Sequence, residues 1–285
     1  MLSDSIPSLA HTALSERLVI LLKAPKSDGT YPTSKVQKGP VLVAGPSDLS
    51  GEGVGLGVPV AKFGHRAVFP GGARVIEQRA DNHRCTWVVD YDLNLEERIT
   101  LKNGETIQND SFYRLKELFA GLHKAVPISR GLIECLNRGL RFAWGLSTTF
   151  EMMPSAGTTR VSYTADRREG VLHVSVDASR FNYIGCTEVI VLNEEDGVLF
   201  DRYSDSNGLE LFGKEIGTWE EAVADCVTLR DVRHSVSLSL PRVPRSTMYR
   251  GREVATGRLS WTGVAYVLAP RYVDFEYKIT IREDV

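Results

Sequence analysis

The segments Arg160-Val-Ser-Tyr-Thr164 and Val171-Leu-His-Val-Ser-Val176 lie on either side of the polar stretch Asp166-Arg-Arg-Glu-Gly170. In both segments apolar or aromatic residues alternate with polar ones, which is the pattern of a strand with one buried face. The Asp and Gly that bound the polar stretch tolerate the backbone angles of a tight turn. The sequence therefore predicts a β-hairpin here, and with it an antiparallel β fold.

The same alternation recurs on both sides of this hairpin. It predicts strands upstream at residues 17–24, 40–44, 58–63, 66–69, 73–77 and 85–90, and downstream at 148–153, 187–193, 198–203, 235–240, 258–268 and 273–281. These runs do not alternate with helices, which disfavours a doubly wound parallel sheet.

Residues 110–142 depart from this pattern. Apolar residues there fall at helical spacing, and Asp110 is a plausible N-cap. The prolines and glycines before residue 58 are typical of loops. We therefore expect a loop-rich N-terminal segment at residues 1–57, followed by one β-rich domain at 58–285 with a helical insertion at 110–142.

The predicted fold class is mainly β: a large antiparallel β-sandwich or a distorted barrel with a helical insertion around residues 110–142. An α+β sheet covered by helices is the alternative. The order of elements resembles the mutarotase-like supersandwich of carbohydrate-active proteins. This resemblance implies a supersandwich-like architecture, and architecture alone does not fix function.

Composition narrows the partners and the compartment. The 34 basic and 36 acidic residues give a formal charge of -2, which provides no general attraction for nucleic acid or anionic lipid. No apolar run approaches the roughly 20 residues that span a bilayer. The four cysteines form no CxxC pair, and residues 1–10 lack a basic leader segment, so we expect free thiols in the cytoplasm. The expected partner is a small-molecule ligand, and the oligomeric state stays open.

Candidate catalytic residues are His65, Glu194 and Asp201. An imidazole takes up or releases a proton near neutral pH, and gathered carboxylates serve acid–base chemistry on sugars. Arg66 lies beside His65 and is a candidate for holding a ligand. The alternative for these segments is a pair of ordinary β-turns, because Asn, Asp and Gly are turn residues.

Candidate ligand-binding residues cluster near the C-terminus: Tyr249, Arg250, Arg252, Glu253 and Trp261. Planar guanidinium donors beside an aromatic ring are suited to a polar ligand. Arg–carboxylate pairing across strands is the structural alternative. The chain's tryptophans, Trp87, Trp144, Trp219 and Trp261, are further stacking faces, although burial is the commoner role of this residue.

Three functions are consistent with these patterns. The first is a cofactor-free enzyme or isomerase acting on a polar, hydroxyl-rich small molecule, such as a carbohydrate, by His and carboxylate acid–base chemistry. The second is a non-catalytic β-sandwich that binds a ligand through Trp and Arg. The third is a β-barrel carrier of an apolar ligand. No metal site is predicted.

Overall fold

The computed structural model describes residues 8–15, 18–23, 28–31, 37–44, 53–102, 147–182, 184–196, 200–217, 219–231, 235–254, 260–271 and 274–283. The helical insertion predicted at residues 110–142 lies outside these ranges. Within them, no helix has the length and apolar character needed to cross a membrane.

Strands are the dominant regular structure of the described residues. The first nine strands are β1 (Ser8–Ala13), β2 (Leu18–Lys23), β3 (Val41–Ala44), β4 (Gly55–Phe63), β5 (Arg66–Ala80), β6 (Arg84–Thr100), β7 (Ser147–Met152), β8 (Thr158–Asp166) and β9 (Val171–Asp177). The next nine are β10 (Glu188–Asp196), β11 (Arg202–Asp205), β12 (Glu210–Phe212), β13 (Glu220–Glu221), β14 (Cys226–Asp231), β15 (Val236–Pro241), β16 (Ser246–Val254), β17 (Ser260–Leu268) and β18 (Asp274–Glu283). A single 3-10 turn at Gly213–Ile216 separates β12 from β13.

These strands form a three-stranded sheet, β1-β2-β3, and an antiparallel sheet of 15 strands. The large sheet runs β12-β11-β14-β15-β18-β9-β8-β6-β5-β4-β10-β17-β16-β13, with β7 also paired to β6. Its two end strands, β12 and β13, are not paired with each other, so the sheet is not closed into a barrel. The mainly β prediction is confirmed, and the open sheet is consistent with the sandwich.

The hairpin predicted at residues 160–176 is formed by β8 and β9. Asp166 pairs with Val171, and the register continues to Arg160 opposite Asp177. Gly170 has a φ of 62°, which a residue with a Cβ adopts at a cost, and its carbonyl accepts the Ile281 amide at 2.7 Å. The turn is therefore fixed to β18 as well as to its own strands.

Several strands differ from their predictions: β1, β14 and β16 were not predicted, and β6 and β5 are longer than the predicted runs. The runs 66–69 and 73–77 form the single strand β5, and the register shifts at Pro70 where a turn was predicted. A proline is tolerated at a bulge because the ladder bond is already interrupted there. The predicted break at 70–72 is thus a bulge within one long strand.

Both sheets contribute to one apolar core. Leu18, Ile20 and Leu22 of β2 belong to the same buried cluster as Trp87 of β6 and Val264 of β17. Alternate residues of β2 face this core because side chains along a strand point to opposite faces. The N-terminal sheet is therefore part of the packing of the large one.

Candidate functional site

The predicted ligand-binding residues lie where β10, β17 and β16 run side by side. Glu194 pairs with Gly263, which pairs with Gly251 on the next strand. Asp196 pairs with Trp261, which pairs with Glu253 in the same way. The register therefore places the C-terminal candidates next to Glu194, the one predicted carboxylate that lies on β10.

The strands divide the predicted residues between two faces. Residues paired across antiparallel strands share a face, and successive residues alternate. Met248 belongs to the main core, so Arg250 and Arg252 lie on the interior face. Tyr249 packs against a different apolar cluster, and Glu194 and Trp261 lie on that second face by register.

A stacked pair of indoles is the main feature of the second face. The rings of Trp219 and Trp261 lie 4.7 Å apart, centroid to centroid, at an interplanar angle of 29°. Both side chains are half-buried. A Cβ on Gly251 would lie 2.5 Å from Cη2 of Trp261 and 3.0 Å from the backbone nitrogen of Trp219. Only glycine leaves room for the pair in this position.

The backbone at Trp219 is strained. Its φ of 55° is in the left-handed region, which a bulky residue rarely adopts. The chain reaches it through Gly217, whose φ is 83° and whose carbonyl accepts the Arg252 amide at 2.8 Å. Strain of this kind persists where the surroundings hold the residue in place, and it is commoner at functional sites.

Glu194 supplies a carboxylate on the same face. It is 5% exposed. Its register position is diagonal to Trp261 on the adjacent strand, a relation that separates Cα atoms by about 7–8 Å. The neighbouring position on each side is a glycine, Gly263 on β17 and Gly55 on β4. A carboxylate on the same face as the indoles, between positions without side chains, is suited to a ligand with an apolar face and hydroxyl groups.

Arg250 is engaged elsewhere. Its Nη2 donates to Oε2 of Glu220 at 2.9 Å and its Nη1 to the Glu221 carbonyl at 3.0 Å. Its guanidinium also lies 5.2 Å from the ring centroid of Tyr203, a buried residue of the main core. These contacts fix β13 to β16 from the interior side. Arg250 and the stacked indoles therefore do not converge on one ligand.

His65 and Glu194 lie at opposite ends of the strand pair formed by β4 and β10. Lys62, three residues before His65, pairs with Glu188, whereas Glu194 pairs with Gly55. Six residues of strand span about 20 Å, so the two side chains do not meet on one small substrate. His65 lies in the turn between β4 and β5, and Arg66 pairs with Glu96 at 3.2 Å.

Asp201 lies between β10 and β11, next to a residue that contacts the interior face of β17. It is exposed, and it follows Phe200, whose carbonyl accepts the hydroxyl of Thr262 at 2.7 Å. Thr262 pairs with Arg252 and therefore lies on the interior face. The register places Glu194 and Trp261 on one face of adjacent strands and leaves His65 and Asp201 apart from them.

Sequence reasoning missed a network of buried hydroxyl groups inside the sandwich. The Tyr91 hydroxyl lies 2.9 Å from that of Tyr163 and donates to the Lys38 carbonyl at 2.9 Å. Asn193 Oδ1 accepts the Tyr277 hydroxyl at 2.7 Å and the Gly57 amide at 3.0 Å. The tyrosines sit at ordinary core positions of alternating strands, so the pattern gave no separate signal for them.

Lys38 is the most unusual member of this interior. It is 0% exposed, and its Nζ lies 4.0 Å from the centroid of the Tyr31 ring. Burial lowers the pKa of Lys38 from 10.5 to about 7, because the charged ammonium is disfavoured away from water. Its sequence context, among glycines and a proline, predicted only a loop.

Several solved structures resemble this chain in shape. An α-N-acetylgalactosaminidase, NagBb from Bifidobacterium bifidum, matches 96% of this chain over 35% of its own, with 6% identity and a TM-score of 0.45. A candidate mutarotase, YeaD from Salmonella typhimurium, matches 99% of this chain over 96% of its own, with 9% identity and a TM-score of 0.37. An α-galactosidase from Lactobacillus brevis matches 99% over 40%, with 9% identity and a TM-score of 0.39.

This chain thus spans little more than a third of the galactosaminidase and is remote from all three in sequence. No protein-family model matches the sequence, and no curated protein does. The function of the chain has to be argued from its own residues.

Proposed function

We propose that this protein binds a hydroxyl-rich small molecule, such as a carbohydrate, on the face formed by Trp219, Trp261 and Glu194. The stacked indole pair held over Gly251 is the observation that carries the proposal. The C–H face of a sugar ring packs on an indole, and a carboxylate accepts hydrogen bonds from the hydroxyl groups at the ring edge. Tyr249, on the same face, extends the aromatic surface.

The geometry favours binding without catalysis over acid–base chemistry. The enzyme hypothesis needs an imidazole and a carboxylate on one substrate, and about 20 Å of strand separates His65 from Glu194. The apolar-carrier hypothesis needs a closed barrel, and the large sheet is open at β12 and β13.

Titration with neutral mono- and disaccharides tests this proposal. We expect at least one sugar of such a panel to quench tryptophan fluorescence saturably and to release heat in calorimetry. Trp261→Ala should weaken that binding about tenfold or more, because loss of one stacking face removes roughly 1–2 kcal/mol. Trp261→Phe should restore part of the affinity.

The matched control is Phe212→Ala, which removes an aromatic ring that is 48% exposed on β12, a strand that is not hydrogen-bonded to β16 or β17. It should leave affinity unchanged. Glu194→Gln keeps the side-chain volume and should weaken binding while Trp261→Phe retains it in part. Equal affinity of the wild type and Trp261→Ala, or no saturable response to any sugar of the panel, would overturn the proposal.

A further inference from the structure

A polar cleft of about 490 Å³ opens where strands β5, β6, β8 and β9 end, away from the indole pair. It lies between two turns, one joining β5 to β6 and one joining β8 to β9. The lining residues are Asp81, Asn82, His83, Arg84, Asp166 and Arg168. Two guanidinium groups and an imidazole thus face a common space.

One backbone hydrogen bond joins the two turns, and the Asp81 side chain orders the first of them. The Arg167 amide donates to the His83 carbonyl at 2.9 Å, which joins the turns directly. Oδ1 of Asp81 accepts the amides of His83 and Arg84, both at 2.7 Å. The walls of the cleft are therefore in place before a ligand arrives, which reduces the entropic cost of binding.

The two carboxylates of the cleft are already used by the protein. The backbone amides of His83 and Arg84 lower the pKa of Asp81. Asp166 accepts the Arg84 Nε at 2.7 Å and the amides of Arg168 and Glu169, and the Arg84 bond contributes most to lowering its pKa. Both carboxylates stay ionised near neutral pH and direct oxygens toward the turns.

Unlike the carboxylates, the guanidinium groups of Arg84 and Arg168 keep donors for the cleft. Arg84 uses Nε for its bond to Asp166, which leaves its terminal amino groups to the cleft on a side chain that is 60% exposed. Arg168 Nη2 lies 2.7 Å from His83 Nε2, so the imidazole accepts from the guanidinium and positions it. Planar, fixed guanidinium forks are the groups that recognise phosphate and carboxylate bidentately.

We infer that this cleft is an anion site, in which Arg84 and Arg168 bind a phosphate group presented by a small molecule. The ligand is either free phosphate or a phosphate ester, since both present the same oxygens to the two forks. The inference is independent of the sugar site, because the cleft and the indole pair share no residue.

Titration with inorganic phosphate, followed by calorimetry and by backbone amide NMR, tests this inference. Saturable binding in the millimolar range is expected, weakening as sodium chloride is raised because the cleft is open to screening. Arg168→Ala and Arg84→Lys should each weaken binding at least fivefold. Arg84→Lys is chosen because it keeps a positive charge near the buried Asp166. Comparing glucose 6-phosphate with glucose and with free phosphate in the Trp261→Ala variant, in which the proposed sugar site is weakened, separates an ester from the free anion.

The matched control is Arg74→Ala, which removes a guanidinium that is 79% exposed on β5, outside the cleft. Phosphate affinity should not change in this variant or in Trp261→Ala. If phosphate binds Arg168→Ala and Arg84→Lys as tightly as the wild type, or if no saturable response appears up to about 50 mM, the inference is wrong.

Discussion

At the scale of single residues, Lys38 makes the stability of the protein depend on pH. Its pKa is about 7 in the folded protein, against 10.5 for an exposed lysine. Between these values the unfolded chain binds more protons than the folded one, so the free energy of unfolding rises with pH. The expected slope is about 1.4 kcal/mol per pH unit, and it vanishes as pH falls below 7 because both states are then protonated.

Urea unfolding at intervals from pH 7 to 9 measures this slope. Lys38→Met keeps most of the side-chain volume and should abolish the rise in stability. Burial raises the pKa of Cys85, Cys186 and Cys226, so these thiols leave a decrease in stability toward pH 9 in both proteins. Burial raises the pKa of Tyr31 and of Tyr91, so these groups reduce stability only as the pH passes 10 and stay silent in this window. A slope that is the same in Lys38→Met and in the wild type would contradict the prediction.

Gly251→Ala is a second single-residue test, specific to the indole pair. The added methyl group would lie 2.5 Å from the Trp261 ring, so the ring must shift. Overpacking of this kind typically costs about 1–3 kcal/mol of stability. Sugar affinity should fall in parallel. Gly64→Ala is the comparison, because nothing lies within 4 Å of its added atom although its φ of 63° costs some stability. Unchanged sugar affinity in Gly251→Ala would show that the ring position does not matter.

The sequence predicted some of these residues as parts of a site and not others. Trp261, Tyr249 and Glu194 were selected from their chemistry, and the structure places them on one face of adjacent strands. Trp219 was noted only as one of several tryptophans, because its left-handed backbone and its contact with Trp261 depend on distant pairing. Lys38 gave no signal, since its burial depends on long-range contacts, such as that of its carbonyl with the Tyr91 hydroxyl of β6.

At the scale of strands, the Asn193 side chain connects β10 to β4 and to β18. Its Oδ1 accepts from the Gly57 amide at 3.0 Å and from the Tyr277 hydroxyl at 2.7 Å, and all of these atoms are buried. Asn193→Ala would leave a backbone amide and a phenol unsatisfied, at roughly 1–3 kcal/mol for each. We expect a loss of about 2–5 kcal/mol in chemical unfolding. Tyr277→Phe, which removes one donor and leaves the Gly57 bond, should cost less.

A double-mutant cycle between these positions tests the network directly. Asn193→Ala combined with Tyr277→Phe should be less destabilised than the sum of the two, because the second change removes the unsatisfied hydroxyl. Strict additivity would show that the two groups do not interact.

Strand existence was easier to predict than strand pairing. Alternation identified the β8–β9 hairpin because its two halves are close in sequence. The separation of Arg250 from Trp261 follows from a register between β16 and β17 that turn residues alone do not define. The chain order likewise does not reveal that β4 pairs with β10, which is what separates His65 from Glu194. Pairing between strands that are distant in the sequence could not be predicted.

At the scale of the whole molecule, the two sheets should unfold as one unit. Ile20 of β2 is 0% exposed and belongs to the core cluster that includes strands of the large sheet. A second link is polar: Oε1 of the buried Glu195 on β10 accepts the Leu42 amide of β3 at 2.9 Å. Loosening the small sheet would uncover apolar surface of the large one and leave a buried carboxylate without this partner.

Ile20→Ala should therefore lower the stability of the whole protein by about 2–5 kcal/mol, as expected for truncating a fully buried aliphatic side chain. Far-UV circular dichroism, which reports on both sheets, and tryptophan fluorescence should give coincident transitions in the wild type and in the variant. Trp87, Trp219 and Trp261 belong to the large sheet or its connections, and Trp144 lies outside the described residues, so fluorescence measured in a Trp144→Phe background follows that sheet. If Ile20→Ala produces an early dichroism transition while the fluorescence midpoint stays in place, the N-terminal sheet unfolds independently.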